Sequence, residues 1–206
     1  MTSFAALAAG LSPAYADLAL GLASELGCPE GDARAQLRGF ARDLPAPAPD
    51  APIDDLEAVR CLLAALAPAP DGTLLLPSAL DGGGHPAVVA VAAAAVAETA
   101  GLDVEPVGDA GGRLYLAHRA LAAPMVIDPA APRHLLDART LGVDLHWRCA
   151  HETALCLLDH VIAGAMRPGD LATALAASAL RFALPLEETA RHAVAADHAR
   201  LVARLN

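Results

Sequence analysis

The chain has 206 residues, of which 55% are hydrophobic, 18% are charged and only 3% are aromatic. This length suits one ordinary domain, which would bury about 70% of its unfolded surface. The formal net charge is −10, and the 14 basic residues, all arginine, are scattered along the chain. A nucleic-acid partner is therefore not expected, since such a protein needs a concentrated basic face. The apolar composition also argues against intrinsic disorder.

The apolar runs are short. The longest, Pro86 to Ala97, is too short to span a bilayer, so no membrane partner is expected. The N-terminal run from Phe4 to Leu11 lacks the basic segment of a signal peptide, and we interpret it as helix. We therefore expect a cytoplasmic protein whose cysteines are free thiols or metal ligands rather than disulfides. The cysteines are Cys28, Cys61, Cys149 and Cys156.

The first third of the chain, residues 1–70, is predicted to be helical. Ser12-Pro13 is a typical helix start, because serine caps a helix and proline suits its first turn. Apolar residues at helical spacing predict two further helices, over 31–44 and 54–66. Between them, the proline-rich residues 45–52 predict a stiff extended linker.

Residues 71–143 are predicted to contain strands, unlike the helical regions on either side. A glycine-rich loop over 71–84 precedes an apolar helix from Pro86 to Gly101, which is apolar all round and is therefore placed in the core. Three strand-like segments follow, over 102–107, 113–118 and 124–128. The last two are spaced as a hairpin.

The last region, residues 144–206, is predicted to be helical again. Helices are expected from Asp144 to Met166, from Leu171 to Leu184 and from Leu186 to Leu205, with breaks at Pro168-Gly169-Asp170 and Pro185. The first two resemble one tetratricopeptide-like hairpin. The whole predicts an α+β fold: a small antiparallel sheet with a central buried helix, flanked by N-terminal helices and a C-terminal helical region.

Three landmarks in the middle of the chain resemble the transglutaminase-like superfamily, in particular its SirB-type branch in bacteria. They are Gly84-His85-Pro86 leading into the apolar helix, Gly112-Arg113-Leu114-Tyr115-Leu116 on a strand, and Val126-Ile127-Asp128-Pro129 at the end of the next strand. Asp17-Leu18-Ala19 and the Arg167–Asp170 turn agree with the flanks of that branch. The resemblance implies an α+β core with a cleft at the start of the apolar helix.

Active members of the superfamily use a cysteine at the start of the helix, a histidine on the first strand and an aspartate on the second. The histidine is needed because a thiol is a poor nucleophile until a base removes its proton. Here residues 86–90 read Pro-Ala-Val-Val-Ala, Arg113 replaces the histidine, and only Asp128 is retained. Arginine is permanently charged and cannot act as a base. The resemblance therefore predicts a chain without the family's thiol chemistry.

Other side chains offer a binding site in the same cleft. Arg113 beside Asp128 and Tyr115 would present a planar fork to an anion, and the alternative is a structural ion pair. His85 precedes a helix N-terminus, where it would bind an anion or act with Asp128 as a replacement acid or base. The alternative is a solvent-facing loop histidine. No nucleotide motif or cofactor is predicted.

The helix predicted from Asp144 contains several potential metal ligands. Cys149, Cys156 and His160 would share one helical face, which a metal ion could use. The alternative is a core-facing helix with buried thiols. We keep the three as weak candidate ligands and expect no metal.

Three functions are consistent with the sequence. The first is a non-catalytic transglutaminase-like protein whose remnant cleft or helical surface binds a peptide, a protein or a small anionic ligand. The second is an enzyme of acyl or amide chemistry that uses a rebuilt site in the same cleft. The third is a helical interaction module. Because alanine supplies 52 residues, an apolar surface would also favour a homodimer.

Overall fold

The computed structural model describes residues 2–48 and 50–205. Met1, Asn206 and Pro49 of the predicted linker lie outside the described residues. Within these ranges the chain forms nine α-helices and five β-strands. The helices are α1 (Phe4–Ala8), α2 (Tyr15–Glu25), α3 (Ala33–Asp43), α4 (Pro52–Ala65), α5 (Leu76–Leu80), α6 (Pro86–Ala100), α7 (Ala150–Met166), α8 (Leu171–Leu180) and α9 (Glu188–Val202). The strands are β1 (Val104–Gly108), β2 (Leu114–His118), β3 (Met125–Ile127), β4 (Leu136–Asp137) and β5 (His146–Trp147).

The five strands form one sheet in the order β4-β3-β2-β1-β5, and every neighbouring pair is antiparallel. The predicted hairpin is the β2–β3 pair, with Leu116 opposite Ile127. Side chains alternate between the faces. Leu114 and Leu116 enter the main core beneath α4 and α6, and we call this the inner face of the sheet. Tyr115 and Ala117 enter a smaller cluster on the outer face.

Helix α6 lies at the centre of the main core. Every residue from Ala87 to Ala97 is buried. Most of these side chains are alanine methyl groups, so α2, α3, α5 and the sheet approach this helix closely. The α+β class with a small antiparallel sheet and a central buried helix is thereby confirmed.

The glycine run before α6 is required by packing. Gly82 and Gly83 have φ angles of 105° and 72°, which favour glycine. A Cβ atom on Gly84 would lie 2.6 Å from the Ala79 methyl group. The backbone of Gly72 lies directly against residues 83–85, and the His85 amide donates to the Thr73 carbonyl at 2.8 Å. These contacts place His85 at the first turn of α6.

Two predicted helix starts are wrong. Helix α7 begins at Ala150 rather than Asp144, because residues 146–147 pair with β1 as strand β5. Cys149 then caps the helix in a capping box with Glu152. Helix α2 begins at Tyr15 rather than Ser12, and Ala14 is its N-cap.

Other boundaries also shift. The predicted 71–84 loop contains α5, and α4 starts at Pro52, inside the predicted linker. The strand predicted over 102–107 runs from Val104 to Gly108. Helix α8 ends at Leu180 and continues as a short 3-10 turn over Arg181–Ala183. Strands β4 and β5 were not predicted, because two residues are too few for an alternating pattern.

The terminal regions join the same core. The main cluster of buried apolar residues extends from Phe4 to Leu184, so all three predicted regions contribute to it. Helices α7 and α8 pack together, and α9 packs on α8. None of the helices in the described ranges combines the length and the hydropathy needed to cross a membrane.

We predict that Gly72→Ala destabilises the fold by about 1–3 kcal/mol, because its methyl group would overlap the Gly83 carbonyl and the His85 nitrogen. Urea unfolding measures this loss. Gly39→Ala is the control, since its methyl group would lie in open space on α3. It should leave stability unchanged or raise it by up to about 1 kcal/mol. Equal effects of the two substitutions would contradict the packing argument.

Candidate functional site

His85 is held by the first turn of α6. It is the N-cap residue, and its Nδ1 accepts a hydrogen bond from the Ala87 amide at 3.2 Å. The neutral ring therefore carries its proton on Nε2. The alternative of a solvent-facing loop histidine does not describe His85, because its ring is partly buried against His160 of α7.

The two histidine rings lie against each other in a tilted arrangement. Their ring centroids are 4.9 Å apart, with an angle of 46° between the planes. His160 Nε2 lies 3.3 Å from the carbonyl oxygen of Gly112. Since a carbonyl only accepts, this nitrogen carries a proton. The same carbonyl accepts from the Cys156 thiol at 3.0 Å. One backbone oxygen thus joins α7 to the β1–β2 turn.

Burial disfavours the charged forms of the His85 imidazole and the Cys156 thiol. Burial lowers the pKa of His85, and the neighbouring His160 and Arg167 lower it further, while Asp71 opposes them. Burial raises the pKa of the Cys156 thiol to about 12, and Asp159 adds to the effect. The neutral imidazole and the protonated thiol are therefore the forms present at neutral pH.

The predicted ligand-binding residues Arg113, Tyr115 and Asp128 come together on the outer face. Arg113 Nη2 pairs with Asp128 Oδ2, and its guanidinium lies over the Tyr115 ring, 5.2 Å from the centroid. The other Asp128 oxygen accepts from the Ala130 amide at 2.9 Å. Asp128 is buried, whereas the Arg113 side chain remains 52% exposed. Tyr115 is only 3% exposed, so its ring is a packing surface.

The structure does not bring His85 to this group. His85 lies at the start of α6, which packs on the inner face, whereas Tyr115 and Arg113 lie on the outer face. His118, on the inner face, is buried against Asp55 of α4 at 3.5 Å. The start of α6 supplies no nucleophile either, since residues 86–90 have proline and aliphatic side chains. His85 and Asp128 are therefore not a catalytic pair in this arrangement.

The three weak metal candidates, Cys149, Cys156 and His160, each make other contacts in the structure. Cys149 caps α7, while Cys156 and His160 are both hydrogen-bonded to Gly112. In the part of the chain that the structure describes, no group of three or more His, Cys, Asp or Glu side chains is placed to hold a metal ion.

The Gly112 turn also lines a cavity. It measures about 510 Å³ and is enclosed by the β1–β2 turn, α7 and the segment that enters α9. Its apolar wall includes Leu114, Leu155 and Leu186. We call it the acidic cavity, because its charged lining consists of Asp109, Glu152, Asp159, Glu187 and Arg148.

Arg148 is the basic side chain in the lining of the acidic cavity, and it contacts two of the acidic residues there. This side chain donates to the Asp109 carbonyl at 3.1 Å and lies 3.4 Å from Glu152. Tyr15 of α2 donates to the Arg148 carbonyl at 2.9 Å and so supports it. Burial raises the pKa of Asp159, and its partner Arg181 opposes that shift. Four carboxylates against one guanidinium leave an excess of negative charge in the lining.

Sequence reasoning missed the acidic cavity. Its residues come from three distant segments, and no spacing within one segment indicates that they meet. The polar stretch from His146 to His160 was the one available signal, since it supplies Arg148, Glu152, Cys156 and Asp159. Its spacing predicts a metal site or a core-facing helix instead.

Comparisons with family models, with curated proteins and with solved structures find no match to this chain.

We predict that iodoacetamide at pH 8 modifies Cys156 at least about tenfold more slowly than Cys61 and Cys149. The latter two are exposed, whereas Cys156 is partly buried and its thiol pKa is raised to about 12. Peptide mass spectrometry over time measures the rates. In urea all four cysteines should react alike. Fast modification of native Cys156 would show an activated thiol instead.

We predict that stability falls as the pH drops below about 6.5, partly through His85. Its pKa is lowered in the folded state, so the unfolded chain binds more protons at acidic pH. The contribution of neutral His85 to the free energy of unfolding is therefore fully present above its unfolded-state pKa. This contribution is lost as the pH falls to the folded-state pKa. His85→Asn keeps a capping acceptor without titrating. Urea unfolding at pH 7.5 and 5.5 should show a smaller loss for His85→Asn, and an equal loss would refute this role.

Proposed function

We propose that this chain is a non-catalytic protein of the transglutaminase-like, SirB-type kind, which binds a basic peptide segment beside the remnant cleft. The observation that carries the proposal is the acidic cavity of about 510 Å³. It lies beside the start of α6, because Gly112 lines it and also contacts His160, which lies against His85. A cavity that combines an apolar wall with a few charged groups is the usual form of a ligand site.

The side chains at the remnant cleft, at the start of α6, support the absence of catalysis. Residues 86–90 offer no nucleophile, and the Cys156 thiol is held protonated by burial. A thiol without a base to deprotonate it does not attack a carbonyl. Among the described residues, no carboxylate is hydrogen-bonded to the His85 ring, and Asp128 pairs with Arg113 on the outer face. An acyl- or amide-processing enzyme in this cleft would need groups that this arrangement does not provide.

The sign of the charge favours a cationic ligand. The anionic ligand expected from the sequence depended on Arg113, whose guanidinium is engaged by Asp128 and Tyr115. The acidic cavity keeps an excess of two negative charges even when Arg181, the ion-pair partner of Asp159, is counted. An arginine or lysine side chain would meet these carboxylates directly.

The shape supports a peptide. Leu155, Leu186 and Pro185 form an apolar wall beside the carboxylates. A basic side chain and an apolar neighbour on the same segment would occupy the two parts of the cavity together. The packing of α7 on α8 is consistent with a tetratricopeptide-like hairpin in this role.

We predict that an acetylated and amidated Ala-Leu-Arg-Ala peptide shifts the amide resonances of residues 108–112 and 186–190 in a ¹⁵N-labelled sample. Glu187→Gln should weaken this binding about fivefold, since one exposed ion pair contributes up to about 1 kcal/mol. Glu187 lines the cavity and makes no side-chain capping bond to α9. Titration followed by NMR gives the Kd of each variant.

Two controls make this test decisive. Glu188→Gln removes the same charge from the adjacent exposed residue, which does not line the cavity, and should leave binding unchanged. The Ala-Leu-Glu-Ala peptide should not bind. Equal binding of the two peptides, or equal effects of the two substitutions, would overturn the proposal.

A further inference from the structure

Arg181 is a buried charge at the junction of the last three helices. Its side chain is only 5% exposed and lies in the 3-10 turn after α8. Nη1 donates to Asp159 of α7 at 2.8 Å and lies 3.7 Å from Asp197 of α9. Nη2 donates to Ser178 of α8 at 3.0 Å. The guanidinium thus connects α7, α8 and α9.

These contacts leave the guanidinium incompletely satisfied. Arginine carries five N–H donors, one of them on Nε. In the described part of the chain, Arg181 Nε is buried and has no hydrogen-bond partner. A buried donor without an acceptor is costly. An acceptor that reaches this edge of the guanidinium would remove that cost.

Arg181 also lines a second cavity, separate from the acidic cavity. This cavity measures about 300 Å³, which is at the small end of ligand sites. Its apolar side chains are Ile162 and Met166 of α7 and Leu201 of α9. We call it the basic cavity, because its charged lining consists of Arg181, Arg200, Arg204 and Asp197.

The basic cavity is unusual for this chain. Three of the 14 arginines line it, in a protein whose formal net charge is −10. Arg200 pairs with Asp197 at 2.5 Å and is 75% exposed, so it reaches the rim of the cavity. Arg204 is exposed as well. A structural role for Arg181 alone does not account for two further arginines beside it.

We propose that the basic cavity binds a small organic anion, a carboxylate or a phosphate monoester, that carries a short apolar chain. The anionic head meets Arg181, Arg200 and Arg204, and the apolar chain packs on the aliphatic side chains of α7 and α9. Guanidinium groups bind carboxylate and phosphate oxygens through paired hydrogen bonds. This site goes beyond the proposed peptide site, because it lies in another cavity and selects the opposite charge.

The test uses octanoate, octyl phosphate and the uncharged octanol, each titrated into the full chain and followed by ¹⁵N NMR. Octanoate or octyl phosphate should shift the resonances of residues 162–166 and 197–204, and octanol should not. A response to one anion alone identifies the head group. The Arg200→Gln/Arg204→Gln double variant should raise the Kd at least about tenfold. Both residues are exposed, so the fold should survive the change.

Arg191→Gln is the matched control, since Arg191 is exposed on α9 and does not line the basic cavity. It should bind the anions as the unmodified chain does. Arg181→Lys keeps the buried charge but removes the fork, and it should weaken binding provided that the variant remains folded by circular dichroism. No response to either anion, equal binding of octanol, or equal Kd values for the double variant and Arg191→Gln would overturn the proposal.

Discussion

The burial of helix α6 on every side is the constraint from which the rest of the architecture follows. Because its residues from Ala87 to Ala97 are all buried, the helix requires cover from the sheet and from α2, α3, α4 and α5. Alanine methyl groups allow these neighbours to approach closely, and the Gly72 and Gly84 contacts close the N-terminal end. The start of α6, where a transglutaminase-like enzyme would place its nucleophile, is therefore occupied by packing.

The Gly112 carbonyl has a comparable role at the turn between the interior strands β1 and β2. Cys156 and His160 both donate to it, which ties α7 to the β1–β2 turn. His85 lies against His160, and both Gly112 and Cys156 line the acidic cavity. Cys156, His160 and His85 thus hold α6, α7 and the β1–β2 turn together. This use agrees with the raised pKa of Cys156 and the lowered pKa of His85.

The C-terminal helices place two cavities of opposite charge close together. Asp159 lines the acidic cavity and pairs with Arg181, which lines the basic cavity. The pair is buried on the arginine side only, since the Asp159 side chain is 54% exposed. Burying the Arg181 guanidinium costs desolvation, and its contacts with Asp159 and Ser178 offset part of that cost. Here the pair sets the relative positions of α7 and the turn after α8. The two proposed ligands would therefore bind at sites that share one structural contact.

The sequence by itself determined the α+β class, the buried α6 helix and the β2–β3 hairpin, because each depends on hydrophobic periodicity within one segment. It did not determine that residues 146–147 extend the sheet, since a two-residue strand is specified only by its partner β1. It brought Arg113 and Asp128 together but not His85 and His160, nor Arg181 and Arg204. Those groupings join residues from separate helices, so only tertiary packing decided which charges share a cavity.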